Sequence, residues 1–326
     1  MSPELKLAHS ADVPRKPAQT ASTPESVLRR LEWTVLRRLD GALHGNYRTL
    51  IRGFGIDLAD LREYQFGDDA RTIDWNATAR LGVPHVRQYN EDREVTAWFL
   101  VDLSGSVNFG SGRTTKRAMA VEFVAVIARL LTRHGNRVGA LLYTDRVDVV
   151  LPARGGRLHV LHLIDQIGRT GTAPRRGRPT RLGELLERAS QAIKRRSVVF
   201  VLSDFISDPG WARALAVLGQ RHEIIAVRLY DATETDLPDL GMVVVEDAET
   251  GQQLFVDTHD NAFRRRFASL AARRETDLRE ALAEAGADCI ELSTGDDLVD
   301  TLVRYTRLRK RRAQLSSGGV PSALMK

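Results

Sequence analysis

The sequence predicts an α/β protein built on a doubly wound, mostly parallel sheet, with an N-terminal helix, a small β-rich cap and a β-hairpin insertion. Three observations carry that reading. Val95–Val101 and Ser197–Leu202 are continuous apolar runs of strand length, the pattern of strands buried on both faces of a parallel sheet. Segments of helical periodicity alternate with the strands along most of the chain. The two apolar runs end in Asp102 and in Ser203-Asp204, so acids fall at carboxyl ends of strands, where open α/β sheets place their ligands.

Residues 1–24, rich in Ala, Ser, Thr and Pro, are expected as a disordered tail. Residues 25–93 are expected as the N-terminal helix and cap. Val27, Leu28, Leu31, Trp33, Val35, Leu36 and Leu39 make the helical stripe, ended by Gly41 and Gly45. Tyr47–Asn90 has scattered apolar residues and many charges, and reads as short strands and turns anchored by Tyr64, Phe66 and Trp75.

The main domain is assigned to residues 94–312. Arg113–Arg133 reads as a helix with one wide apolar face, and Arg137–Tyr143 with Val147–Leu151 as an antiparallel pair at a sheet edge. Leu158–Ile167 is helical, with Leu158, Leu161, Ile164 and Ile167 as its stripe. The loop RTGTAPRRGRP follows, and another helix starts after Thr180. Trp211–Gln220 is helical, Glu223–Arg228 a strand, and residues 242–257 a hairpin insertion turning at Gly251. Phe263–Ala285 is a long charged helix, Cys289–Leu292 a strand and Leu298–Leu308 the last helix. Residues 313–326 are expected as a flexible tail.

Cys289 is the only cysteine, which excludes disulfides within the chain and suits a reducing compartment. No apolar run approaches the roughly 18–20 residues that span a bilayer, and the N-terminus has no apolar signal core, so a cytoplasmic location is expected. The net charge of +6 admits nucleic-acid binding through Arg175, Arg176, Arg178 and Arg181, through Arg264–Arg266, or through Arg307–Arg312. Aromatic residues are not interleaved with these clusters, and no recognised binding module surrounds them.

Asp102, Ser104 and Ser106, with Gly105 tightening their turn, are joined by Thr180 and Asp204 as candidates for one oxygen-lined metal site. Oxygen donors with few carboxylates point to a hard divalent cation, Mg²⁺ first and Mn²⁺ or Ca²⁺ next. Other roles stand beside this one. Ser104 and Ser106 suit turns or helix caps, Thr180 suits a helix N-cap, and Asp204 a turn or cap before Pro209.

DLSGS, Thr180 in PTRLGELLERA and Asp204 in VVFVLSDF resemble the metal-ion-dependent adhesion site of von Willebrand factor A domains. Upstream, DLADLREYQFGDDARTIDWNATARLGVPHVRQY resembles the signature of a bacterial domain-of-unknown-function family, number fifty-eight, and EDAETGQQLFVDT resembles its hairpin. The resemblance covers about Tyr47 to Arg312. It implies a Rossmann-like A domain in which Ser104, Ser106 and Thr180 bind the metal directly, while Asp102 and Asp204 act directly or through water. It also implies a MoxR-type AAA+ ATPase as partner. The threonine loop TAPRRGRPT departs from the usual glycine-threonine pattern by its arginines.

Three function classes follow. The first is a non-enzymatic, metal-dependent protein–protein interaction module, an adaptor for such an ATPase or its client, with the metal bridging to a partner's acidic residue. The second is a Mg²⁺-dependent phosphatase or hydrolase with Asp102 as nucleophile. Such sites carry a second acid where this chain has Ser104, and a lysine that is not expected near these strand ends. The third is nucleic-acid binding. No phosphate-binding loop of the GxxxxGK[ST] type occurs, and the eight histidines lack zinc-hydrolase spacing.

Overall fold

The computed structural model describes residues 6–8, 23–39, 60–65, 68, 73–75, 78–79, 82–88, 95–112, 114–171 and 179–316. At its centre a six-stranded sheet runs in the order β11-β8-β7-β4-β5-β6. Its strands are β4 (Thr96–Asp102), β5 (Arg137–Tyr143), β6 (Val147–Arg154), β7 (Val198–Ser203), β8 (Glu223–Tyr230) and β11 (Asp288–Ser293). Every neighbouring pair is parallel except β5 with β6, which closes one edge as an antiparallel strand.

The apolar runs form strands because both faces of the sheet are covered. In β4, Ala97, Phe99 and Val101 join one core while Trp98 and Leu100 join the other. The first core is roofed by α1 (Pro24–Leu31), α2 (Lys116–Arg133), α3 (Arg157–Arg169) and α7 (Leu298–Ser316). The second is roofed by α4 (Leu182–Ala192), α5 (Trp211–Gly219) and the distal part of α6 (Asn261–Glu284). Phe99 stacks on Phe200 of β7 at 5.3 Å between ring centroids, and Phe123 of α2 meets Phe200 edge-on. Each of these rings, fully withdrawn from water, contributes on the order of 1.5–3 kcal/mol.

The N-terminal helix starts where Thr23 accepts the Ser26 N–H, with Pro24 in the first turn. It continues through a π turn (Glu32–Leu36), and Leu28, Leu31, Leu36 and Leu39 are buried while Trp33 is exposed. The stripe of α3 also differs from expectation. Val160, Leu163, Ile164 and Ile167 are buried and Leu158 is 82 % exposed, so the packed face sits at the i, i+3, i+4, i+7 positions counted from Val160. In α6 only Leu278 and Leu282 are buried; most of its charged residues face solvent, while Glu275 pairs with Arg228 of β8.

Within the stretch expected as a disordered tail, β1 (Lys6–Ala8) pairs antiparallel with β9 (Met242–Glu246), the first strand of the insertion. The free backbone edge of a hairpin strand offers such a segment its hydrogen bonds. β9 and β10 (Gln253–Asp257) form the hairpin with the boundaries expected from sequence. In the cap, β2 (Asp60–Glu63) pairs antiparallel with β3 (His85–Gln88), and Ile73 bridges to Val86. Trp75 is 70 % exposed and does not anchor the cap; Phe66 and the charged residues Asp57, Asp69 and Arg71 lie outside the described residues.

Candidate metal centre

The register of the sheet places the two acids together. Val101 of β4 pairs with Leu202 of β7, so Asp102 and Asp204 leave adjacent strands at the same carboxyl edge. Both are buried. Asp102 accepts the Ser104 N–H at 2.9 Å through Oδ1 and the Ser203 hydroxyl at 2.7 Å through Oδ2. Burial, with the negative charge of Asp204 beside it, pushes the Asp102 carboxyl up to about 7 even though these donors pull the other way.

Ser104 and Ser106 lie with their hydroxyl oxygens 3.1 Å apart, and both are buried. Neither caps a helix: α2 is capped by Thr115, which accepts the Ala118 N–H, and Ser106 opens a short 3₁₀ turn (Ser106–Asn108). Thr180 does not cap α4 either, because Arg181 occupies the cap position. Instead Thr180 donates its N–H to both carboxylate oxygens of Glu249, at 2.9 and 3.0 Å, and its hydroxyl to the same group. The turn role of Asp204 is present, since its Oδ1 accepts the Ile206 N–H at 3.1 Å. The next residue, Phe205, has φ +59°, a strained conformation for a bulky side chain.

Three residues at this edge were not among the candidates. Lys116, the first residue of α2, is fully enclosed and donates to Asp204 Oδ2 at 2.8 Å and to Glu234 Oε1 at 2.6 Å. The expectation that no lysine approaches the strand ends is thereby corrected. Burial opposes the ammonium charge, but the two carboxylates outweigh it and raise the Lys116 pKa. Glu234, whose pKa is raised by burial, belongs to a capping box with Asp231. Glu249 comes from the tip of the β9–β10 hairpin, and burial raises its pKa too, with Thr180 opposing. One cue to Lys116 existed: it is one of only six lysines in an arginine-rich chain, and it opens the helix that follows DLSGS. The DAETGQ turn was legible through Gly251, and nothing in it singled out Glu249.

Asp102, Ser104, Ser106 and Asp204 thus lie at one carboxyl edge of the sheet, while Thr180 bonds to Glu249, whose carboxyl feels the charge of Asp204. Their donors are carboxylates and hydroxyls, an all-oxygen set that suits a hard divalent cation. Among the described residues no three His, Cys, Asp or Glu side chains form a metal-holding group, so hydroxyls would carry much of any coordination. Of the basic clusters, Arg175, Arg176 and Arg178 lie outside the described residues. Arg309 is spent on Glu223 and Asp288, and Arg264 on Asp239. Among the described residues no helix is long and apolar enough to cross a membrane.

The family described as Protein of unknown function DUF58 matches residues 60–277. The chain belongs to this family. It is 37 % identical over 290 residues to the uncharacterized protein Rv1480 of Mycobacterium tuberculosis, spanning 88 % of this chain and 90 % of that one. It is 33 % identical over 163 residues to the uncharacterized protein MAV169 of Mycobacterium avium, spanning 50 % and 95 % respectively. Among solved structures it is similar to the conserved hypothetical protein BatB from Bacteroides thetaiotaomicron, with a TM-score of 0.43 and 11 % identity over 67 % of this chain and 99 % of that one. The DUF58 match includes the strands carrying Asp102 and Asp204, the Thr180 loop and the hairpin carrying Glu249.

Proposed function

We propose that this DUF58 protein is a non-enzymatic, metal-dependent interaction module, with a Rossmann-like, von Willebrand factor A-like domain and a metal-ion-dependent adhesion site. The observation that carries the reading is the pair Asp102 and Asp204. They are buried at neighbouring strand ends, close enough that one charge raises the other's pKa, beside the paired hydroxyls of Ser104 and Ser106. Ser104, Ser106 and Thr180 would hold Mg²⁺, or Mn²⁺ or Ca²⁺, directly, and Asp102 and Asp204 directly or through water. When bound, a cation neutralised by so few carboxylates remains electrophilic and recruits an acidic side chain. The remaining work belongs to the chain's own groups: Ser203 and the Ser104 N–H orient Asp102, while Lys116 and the Ile206 N–H orient Asp204.

The partner implied by the sequence resemblance is a MoxR-type AAA+ ATPase, or a client of one. Capture of such an ATPase by the purified protein should require Mg²⁺ and vanish with chelator. Asp102→Ala and Ser104→Ala should each remove the metal-dependent part. Binding indifferent to chelator overturns the reading.

Lys116 favours one competing reading, a Mg²⁺-dependent phosphatase in which Asp102 attacks phosphorus. Its ammonium is enclosed between Asp204 and Glu234, and no acid follows Asp102 two residues on. Turnover of a phosphomonoester with Mg²⁺, lost in Asp102→Asn, would select that reading over the adaptor.

A further inference from the structure

We propose that Glu249 is the site's built-in carboxylate ligand, and that the N–H and hydroxyl of Thr180 form a carboxylate seat which a partner's acid enters by displacing the hairpin tip. This inference rests on the metal-dependent reading above.

The tip is shaped to present that one side chain. Asp247 accepts the N–H groups of Glu249 and Thr250 at 2.8 and 2.9 Å, its backbone N–H binds the Gln252 carbonyl, and Gly251 turns the chain with φ +73°. The tip also docks closely at a second point. A Cβ added to Gly105, between the two site serines, would lie 2.4 Å from the Ala248 carbonyl oxygen, so only glycine admits the hairpin there. Glu249 is thereby held against Thr180, with the charge of Asp204 within reach.

A tie meant only to fasten the hairpin has no need of charge. A neutral amide also accepts from the Thr180 N–H and hydroxyl through its one oxygen, though less strongly than a carboxylate. A carboxylate placed here among buried acids is unfavourable by itself, and a cation at the Asp102–Ser104–Ser106 cluster would remove that repulsion. The ligand class for the seat is therefore an Asp or Glu side chain, the chain's own or a partner's.

Mn²⁺ binding, followed through the spectrum of the free ion, separates the possibilities in the wild-type protein and in Glu249→Gln, Glu249→Ala and Asp102→Ala. Both Glu249 variants should bind Mn²⁺ about tenfold more weakly or worse, because one anionic ligand is gone. Acetate should restore affinity to Glu249→Ala, whose seat is empty, and not to Glu249→Gln, whose seat is filled by the amide. Glu249→Gln keeps one oxygen acceptor for the Thr180 N–H and hydroxyl, so it holds the tip better than Glu249→Ala should that variant prove poorly stable. Wild-type affinity in both variants overturns the built-in ligand while leaving the metal site standing. Wild-type binding no stronger than that of Asp102→Ala overturns the metal reading and the inference with it.

Discussion

The Lys116 ammonium meets Asp204 Oδ2 at 2.8 Å with neither side chain more than 2 % exposed. The contact joins the first turn of α2 to the carboxyl end of β7, two elements that both frame the site. Lys116 also holds Glu234, so one cation serves two carboxylates. A buried charge left without its partner is costly, which makes this lysine more consequential than any of the surface arginines.

Replacing Lys116 by methionine should therefore destabilise the metal-free protein by about 3–5 kcal/mol, since Asp204 and Glu234 both lose their counter-charge. Denaturant unfolding in chelator measures it. If the variant folds, Mg²⁺ should bind it more tightly than wild type, because a competing positive charge has gone. Unchanged stability would mean the acids are already compensated by something else.

Asp102 sets a pH dependence. Its folded pKa, about 7, lies above the ordinary value of 3.8. Between those values the folded state binds the extra proton, so this group's contribution to stability falls as pH rises from about 4 to 7 and is level above that. In chelator, Asp102→Asn should stabilise the protein at pH 8, by an amount on the order of a few kcal/mol at most, and have little effect near pH 4. Thermal unfolding at the two pH values decides it. Equal effects at both would show that Asp102 is charged throughout.

Gly105 and Ala248 give a steric test. Gly105→Ala forces backbone against backbone, so the hairpin tip must move, at a cost of about 1–3 kcal/mol. Hydrogen exchange should accelerate in residues 247–252 and at the Thr180 amide, which binds Glu249. Unaltered exchange there would place the hairpin's attachment elsewhere.

Cys289 lies in β11, and burial pushes its thiol up to about 12. At pH 8 it should resist alkylation in the native protein and react fully once the sheet unfolds. Rapid native labelling would mean that this edge of the sheet opens locally.

The sheet was legible because its strands are buried on both sides: VVFVL and TAWFLV leave little choice but a central strand. The hairpin boundaries were legible from Gly251 and the apolar segments that flank DAETGQ. Asp102, Ser104, Ser106 and Asp204 could be placed because strand ends are fixed by where apolar runs stop. What escaped was set by tertiary approach. Nothing local tells that the first residue of α2 turns inward to Asp204, or that a turn glutamate reaches Thr180, which lies 69 positions away. The exposed side of α3 was misread for a similar reason: two apolar stripes were available, and packing against the sheet selected the one with Val160 and Leu163. Lys6–Ala8 carries no strand pattern of its own and follows only from the edge that β9 offers.

The central claim is that Asp102, Ser104, Ser106, Thr180 and Asp204 hold a divalent cation, and Mg²⁺-dependent thermal stability at pH 8 tests it most directly. A ligand bound only by the folded state raises the melting temperature, with a stabilisation that grows as the logarithm of its concentration above Kd. Wild type should gain stability as Mg²⁺ is added, and Ser104→Ala combined with Ser106→Ala should gain none. A wild-type protein indifferent to Mg²⁺, Mn²⁺ and Ca²⁺, or a gain that survives loss of both serines, would contradict the account.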